Sequence, residues 1–167
     1  MQKTGPPPSA IELNAEVTKE GWSVYKVKDK SDVTLRVKLV LLKLFLEDLN
    51  SEGDARFGVG ANLVMTVSVP PELKGEKSAQ TYTNEEIVAS IVAEDLPFET
   101  VREDWNEYRS AEGIILGVKP VATTVSRTSK FDSAGDPIYY VQHQMVKKAK
   151  VPKEIVENLR KRLGSKS

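Results

Sequence analysis

Hydrophobic and polar residues alternate along two long stretches of the chain. From Ala55 to Val69 every odd-numbered residue is apolar, and most odd-numbered residues from Val33 to Glu47 are apolar as well. Successive side chains of a β-strand point to opposite faces of a sheet, so alternation of this length predicts strands with one buried face. We therefore predict a long β-hairpin over residues 33–69. A helix in the leucine-rich first arm is the alternative, and the flanking alternation argues against it.

The number of residues in the turn of this hairpin follows from the faces on which the apolar residues lie. Both apolar faces lie on one side only if the loop has an odd number of residues, and Ser51-Glu52-Gly53 meets that condition. A three-residue loop of this kind ends in a left-handed residue, which is where Gly53 stands. Ser133-Ala134-Gly135 meets the same requirement in a second hairpin, predicted over residues 114–151.

The second hairpin has one extra residue in its first arm, and its apolar positions change phase between Val118 and Val121. A β-bulge inserts one residue and changes the face on which the following side chains lie. We predict the bulge at Lys119–Pro120, because proline cannot donate to the ladder. This register places His143 opposite Val125.

The chain also repeats itself at a spacing of about 82 residues. Trp22 and Trp105 each precede a tyrosine by three positions, each hairpin follows in the same order, and each copy closes on Val-Pro-x-Glu-aliphatic. Several matches in one order indicate an internal duplication. We therefore predict an α+β fold of predominantly antiparallel β-sheet, built from two tandem repeats with pseudo-twofold symmetry. Each repeat would be a long β-hairpin followed by a short helix.

Two helices are predicted from their capping signals. Thr83 and Glu86 form a capping box, which predicts a helix over residues 84–94. Pro152 suits the first position of a C-terminal helix over residues 152–163, which would end at Gly164.

The repeat suggests how the chain is divided. We expect a disordered tail over residues 1–10, since three consecutive prolines favour an extended chain without ladder bonds. Repeat 1 then covers residues 11–82, and repeat 2 covers residues 83–167. Units of this size bury small cores on their own, so we expect one domain with a shared core. Two separate small domains are the alternative.

Composition narrows the classes of function. The chain has 167 residues, 40% hydrophobic and 29% charged, and it contains no cysteine. It can therefore bury a core, and it can use no thiolate ligand or nucleophile. The longest apolar run, Leu39 to Leu46, is broken by Lys43 and is too short to cross a bilayer. With no signal peptide at its start, we expect a cytoplasmic protein without a membrane partner.

Charge is distributed unevenly although the net charge is zero. Residues 1–112 carry 13 basic and 20 acidic side chains, whereas residues 113–167 carry 11 basic and 4 acidic ones. The basic excess includes a cluster near the C-terminus that could attract phosphates. Its members are Lys147, Lys148, Lys150, Lys153, Arg160, Lys161 and Arg162. Complementing the helix dipole or guarding an edge strand is the other interpretation of these cations.

An apolar row on the even-numbered positions of the first hairpin suggests association. Val40, Leu42, Leu44 and Leu46 would make that half of the strand apolar on both faces. A strand of this kind must be covered on both sides, by the helix at 84–94 or by another subunit.

The remaining candidates favour no chemistry. His143 has no partner at strand spacing, Gly58-Val59-Gly60 lies inside a strand, and Asp132 and Asp136 flank a tight turn. We therefore expect no catalytic residue, cofactor or metal. The first hypothesis is a non-catalytic interaction or assembly protein, forming a homo-oligomer or docking on a protein partner through the apolar row and complementary charge. The alternative is a nucleic-acid-binding accessory protein that uses the basic cluster.

Overall fold

The computed structural model describes residues 10–49 and 55–164, without the side chains of the last two. Residues 1–9 of the predicted tail and the predicted turn at Ser51–Gly53 lie outside these ranges. The described strands are β1 (Ile11–Leu13), β2 (Ala15–Lys19), β3 (Trp22–Asp29), β4 (Ser31–Leu49), β5 (Ala55–Ser68), β6 (Ile91–Ala93), β7 (Phe98–Arg102), β8 (Asn106–Ser110), β9 (Ile115–Phe131) and β10 (Pro137–Lys150). The described helices are α1 (Asn84–Ala89) and α2 (Lys153–Gly164), and a 3₁₀ turn covers Pro71–Leu73.

The predicted α+β class, dominated by antiparallel sheet, is confirmed. In the first sheet β4 pairs along its length with β5, and its other edge pairs with β3 and β1. The outer neighbour of β3 is β7. In the second sheet β9 pairs with β10 on one edge and with β8 and β6 on the other. The outer neighbour of β8 is β2, and every pair is antiparallel.

Both predicted hairpins are confirmed as strand pairs, and the second turn has the predicted chemistry. Gly135 has a φ of +82°. Its N–H donates to the Asp132 carbonyl at 3.1 Å, and the Asp132 N–H donates to the Asp136 carbonyl at 2.9 Å. The Asp132 carboxylate accepts from the N–H groups of Ala134 and Asp136, both at 2.9 Å. Asp132 therefore serves the turn, as an aspartate beside a tight turn often does.

The bulge in the second hairpin is not at Lys119–Pro120. Gln142 pairs with Thr124 and His143 pairs with Ala122, so Thr123 is the extra residue and His143 does not face Val125. Pro120 lies in the part of β9 between its pairings with β8 and β6. One edge of β9 has no ladder partner there, so the missing N–H of Pro120 is tolerated without a bulge.

Strand β4 has two register shifts that the sequence pattern did not predict, and the one that bears on the predicted association row is a bulge at Leu42. Leu41 pairs with Ala61 and Lys43 pairs with Gly60, which leaves Leu42 as the extra residue. Before the bulge the odd-numbered residues from 33 to 39 are buried, and after it Leu44 and Leu46 are buried. The bulge therefore changes the face that β4 presents to the core.

The two sheets pack face to face over two apolar clusters, and each cluster contains residues from both sheets. The first combines Leu39 and Leu46 with Tyr108, Leu116 and Leu159, among others. The second has these buried members: Tyr25, Val27, Val33, Leu35, Val37, Leu73, Ala122, Val125 and Tyr139. The core is therefore formed between the sheets.

The two helices differ in how well they were predicted. The capping box of Thr83 and Glu86 is present, but α1 ends at Ala89 rather than at residue 94. Residues 91–93 form β6 instead, because pairing with β9 satisfies their backbone and the β-branched side chains of Ile91 and Val92 favour strands. Helix α1 packs beside β9 and β10, so of the two covers considered for β4 it is not the one. Helix α2 agrees with the prediction and buries Leu159 in the first cluster.

Candidate functional site

The predicted association row does not form one surface. Leu44 and Leu46 are 2% and 0% exposed, and they belong to the core. Leu42 is 59% exposed at the bulge, and Val40 is half-buried. The bulge at Leu42 separates these residues, because the side chains on its two sides no longer alternate in phase. Leu44 and Leu46 therefore have no surface to offer to a partner.

The predicted basic cluster is also divided. Lys147 and Lys148 are neighbours on β10, so they lie on opposite faces of the second sheet. The Lys147 ammonium donates to the Phe57 carbonyl of β5 at 2.7 Å, which places it on the side of the first sheet. Lys148 and Lys150 lie on the opposite face.

The cations of α2 form a third group. Arg160 pairs with Glu157 at 2.9 Å and Arg162 pairs with Glu112 at 3.6 Å, whereas Lys153 and Lys161 are exposed. The seven cations of the predicted cluster therefore do not converge on one site. Lys148 and Lys150 converge instead with lysines from other strands.

The meeting point is the outer face of the second sheet, opposite the core. Lys19 of β2 pairs with Glu107 of β8, Glu107 pairs with Gly117 of β9, and Gly117 pairs with Lys148 of β10. The four side-chain positions form one row across four strands. Leu116, the neighbour of Gly117, is fully buried on the other face. The row therefore faces away from the core.

Trp105 lies directly over this row. A Cβ atom added to Gly117 would lie 3.2 Å from Cε3 of the indole and 3.0 Å from Cγ and Cε of Lys148. Such distances are shorter than ordinary carbon contacts, so a side chain at residue 117 would push both groups away from β9. Gly117 therefore allows the indole and the stem of Lys148 to rest on the strand.

Two lysines are held beside the indole ring. The Lys148 Nζ lies 4.1 Å from the ring centroid of Trp105, and the Lys119 Nζ lies 5.0 Å from it. Cations at this distance are attracted by the negative face of an aromatic ring. The two ammonium groups repel each other when no anion is bound. Their contacts with the Trp105 ring offset part of this repulsion, so positive charge stays concentrated beside the ring.

A groove of about 430 Å³ opens beside these groups. Its lining residues are Lys19, Trp105, Glu107, Ile115, Gly117, Lys148, Ala149 and Lys150. The volume lies within the range of about 300–1,000 Å³ that is usual for ligand sites. Three lysines and one carboxylate give the groove a positive balance, with Lys119 adding a fourth cation next to the ring. The Glu107 carboxylate already accepts a hydrogen bond from the Thr18 hydroxyl at 2.9 Å.

One cluster of polar groups in the interior is internally paired and is separate from this groove. The Tyr139 hydroxyl donates to the Asp29 carboxylate at 2.8 Å, and the Arg127 Nε forms an ion pair with the same oxygen at 2.8 Å. Asp29 is 2% exposed, so its charge is compensated inside the protein. Burial, and then the bond to Asp29, raises the pKa of Tyr139 above its ordinary value. This cluster is a structural one.

His143 has no catalytic or metal-binding surroundings. Burial lowers its pKa, and within the described part of the chain its Nε2 has no hydrogen-bond partner. Among residues 10–49 and 55–164, no group of three or more His, Asp or Glu side chains could hold a metal ion. Over the same residues no helix is long and apolar enough to span a bilayer.

The sequence interpretation identified Lys148 and Lys150 but missed Lys19, Trp105, Glu107, Gly117 and Lys119. One signal was available, since a glycine inside an alternating strand often marks the close approach of another group. Gly117 carries that signal. The other residues come together only through the register of four strands.

In comparisons with protein-family models, with curated proteins and with solved structures, nothing matches this chain.

Proposed function

We propose that the protein is a non-catalytic accessory protein that binds nucleic acid through the groove beside Trp105. Lys19, Lys148 and Lys150 would contact backbone phosphates, and Lys119 would add its charge beside the ring. Phosphate contacts of this kind provide most of the affinity in nucleic-acid binding.

The observation that carries the proposal is the convergence of cations from three strands on one groove beside an aromatic ring. Lys19 and Lys148 come from the two outer strands of the row, and both face the same groove. A sheet holds such groups at fixed spacing, so little conformational entropy is lost when they bind a charged strand. Lysines that only protect a sheet edge need not converge in this way.

The groove supports a binding role rather than catalysis. Among the described residues that line it there is one carboxylate and no histidine, serine or cysteine. General acid–base and nucleophilic catalysis rely mostly on histidine, serine, cysteine or paired carboxylates, so this lining favours binding.

The test is a titration of labelled oligonucleotide followed by fluorescence anisotropy at several salt concentrations. The groove variant combines Lys19→Glu, Lys148→Glu and Lys150→Glu. Its matched control combines Lys26→Glu, Arg36→Glu and Lys38→Glu on the outer face of the first sheet, which changes the net charge equally. We expect the groove variant to lose at least 100-fold in affinity and the control to lose less than fivefold.

The salt dependence gives an independent measure. If four lysines each neutralise one phosphate, the logarithm of the affinity falls with the logarithm of salt concentration with a slope of about −3. Equal losses in the two triple variants would show that net charge alone causes the binding, and they would contradict the proposal.

Self-association remains the second candidate, on a surface other than the predicted row. Among the described strands β5 pairs with β4 alone, and Val64 and Met65 on it are 43% and 42% exposed. An edge strand of this length can pair with another chain. Light scattering at low and high salt tests this, and a salt-insensitive dimer that Val64→Lys dissociates would support it.

We also infer that the chain arose by duplication, with a core shared by residues 11–82 and 83–167. Three parallels support this inference. β4 and β9 have corresponding neighbours, both carry a bulge, and each half contributes one strand, β2 or β7, to the sheet of the other. Expression of residues 83–167 alone tests the shared core, since an isolated half would lack β2 and should not fold.

A further inference from the structure

We propose that the groove selects single-stranded over duplex nucleic acid, because one base of the strand stacks on Trp105 in place of the Lys148 ammonium. This rests on the nucleic-acid binding proposed above and adds the form of the ligand and the residue that recognises it.

The indole is already positioned as a platform. Its Cε3 edge rests on β9 at Gly117, and the ring is half-buried. A ring that is fixed before binding loses little freedom when a base stacks on it. Stacking on an aromatic side chain is also the usual contact in proteins that bind single strands.

Lys148 can move off the ring without losing its place in the site. Its Cγ and Cε atoms pack over Gly117, while the ammonium at the end of the chain lies 4.1 Å from the ring centroid. A rotation of the terminal bonds transfers the ammonium from the ring to a nearby phosphate. The cation–π contact is thereby exchanged for a base on the ring and a phosphate on the lysine.

The other lining residues suit a base followed by its backbone. Ile115 and Ala149 provide apolar surface next to Trp105, and the Glu107 carboxylate can accept hydrogen bonds from base amino groups. Lys19 and Lys150 lie on different strands of the groove and can contact successive phosphates. Apolar surface beside a ring and cations around it are the combination found in single-strand sites.

A duplex cannot use this arrangement. Its base faces are stacked inside the helix, so Trp105 could reach one only after the base had been unstacked and unpaired, which costs free energy. A duplex would therefore contact the lysines alone. Because every base has a flat face, the preference for single strands should come with little preference for sequence.

The experiment uses the full chain carrying Trp22→Phe. The protein has two tryptophans, so this substitution leaves Trp105 as the single fluorophore. Four probes are titrated at one salt concentration: oligo-dT, a mixed-sequence single strand, the duplex of that mixed sequence, and the mononucleotide. We expect Trp105 fluorescence to be quenched by both single strands, with at least tenfold weaker binding of the duplex and of the mononucleotide.

Two substitutions at Trp105 separate stacking from folding. Because these variants lack the Trp105 fluorophore, their binding is followed by the anisotropy of labelled oligonucleotide. Trp105→Tyr keeps a flat ring and should keep binding within about threefold, whereas Trp105→Leu should weaken single-strand binding by about tenfold or more. Duplex binding should not change in either variant. Circular dichroism and thermal unfolding of both variants confirm that the comparison is made on folded protein.

The possible outcomes are distinguishable. If the triple lysine variant loses binding while Trp105→Leu keeps it, the proposed function stands and the stacking proposal is overturned. Equal affinity for duplex and single strand also overturns the stacking proposal. Mononucleotide binding as tight as that of oligo-dT would show a small-molecule site and overturn it too. If no probe binds at low salt, both proposals fail.

Discussion

The outer faces of the two sheets have the same pattern of strand pairing but carry different side chains around their tryptophans. In the second sheet Trp105 stands two residues before Glu107, whose row continues through Gly117 to Lys148. In the first sheet Trp22 stands two residues before Val24, whose row continues through Arg36 to Thr66. Arg36 thus occupies the place of Gly117, and Thr66 occupies the place of Lys148.

The difference between the two outer faces follows from these two positions, where Arg36 stands for Gly117 and Thr66 stands for Lys148. With a long side chain at residue 36, Trp22 has no open strand to rest on, and it is 37% exposed. Its nearest cation is Lys38, with the Nζ 5.9 Å from the ring centroid. The tryptophan alone therefore does not make a site. A bare strand beneath it and a lysine opposite that strand are needed as well.

The largest expected effect concerns the core residues that follow the bulge of β4. Leu46→Ala should lower the free energy of unfolding by about 2–5 kcal/mol, because it leaves a cavity in the core. Leu42→Ala should change it by less than about 0.5 kcal/mol, because Leu42 is exposed. Urea unfolding measures both. A large loss at Leu42 would mean that the register of β4 is different.

The next effect compares the tyrosines that follow each tryptophan. The Tyr25 hydroxyl donates to the Glu103 carboxylate at 2.5 Å and accepts from the Ala122 N–H at 3.3 Å. The Tyr108 hydroxyl is buried and has no hydrogen-bond partner within the described residues. Tyr25→Phe should therefore cost about 1–3 kcal/mol of stability, since it leaves buried polar groups unpaired. Tyr108→Phe should be neutral or stabilising in the same urea series.

A smaller effect should appear on acidification, and it arises in the second sheet alone. His143 pairs with Ala122, whereas the corresponding pair in the first sheet is Ala61 with Leu41. Burial lowers the pKa of His143, so the unfolded chain binds the proton more readily. The stability that it contributes is present above its ordinary pKa of about 6.5 and is lost as the pH falls below it.

Unfolding of the native chain and of His143→Gln at pH 8, 6.5 and 5 checks this expectation. The difference in stability between the two should shrink as the pH falls, since carboxylate effects are common to both. A constant difference across the series would show that His143 is protonated equally in the folded and unfolded states.

The smallest expected effect comes from transferring the arrangement around Trp105 to Trp22 in the first sheet. Arg36→Gly with Thr66→Lys gives the first sheet the two residues that distinguish the second. In a Trp105→Leu background we expect Trp22 fluorescence to shift to shorter wavelength and single-strand binding to return weakly, by about two- to fivefold. If emission does not shift, Trp22 depends on neighbours other than Arg36 for its position.

The hairpins were predictable because alternation extends over most of β4, β5, β9 and β10 and because Gly135 fixes a turn. The bulge at Leu42 was not, since apolar residues on both faces around it, interrupted only by Lys43, give no phase to follow. The sequence predicts helix for residues 91–93 because they directly follow a capped helix, and the strand they form is only three residues long. Whether so short a segment forms a strand depends on its pairing with β9, and no local sequence pattern shows that pairing.

The site was less predictable than the fold, for a related reason. Neighbours along β10 suggested one patch, but a strand sends Lys147 and Lys148 to opposite faces. Lys19 and Lys148 are brought to one groove by three successive strand pairings. Each pairing is fixed by side chains on the buried face, so the outer row follows from the packing of the core.

The exchange of strands between the two halves has a consequence for how the chain emerges from the ribosome. β2, residues 15–19, has its hydrogen-bonding partner in β8, residues 106–110, and the first sheet gains its outer strand only with β7, residues 98–102. Neither sheet can be finished while the nascent chain is short. Folding is therefore expected to be late, slow and cooperative, with β2 left without its partner until β8 has been synthesised.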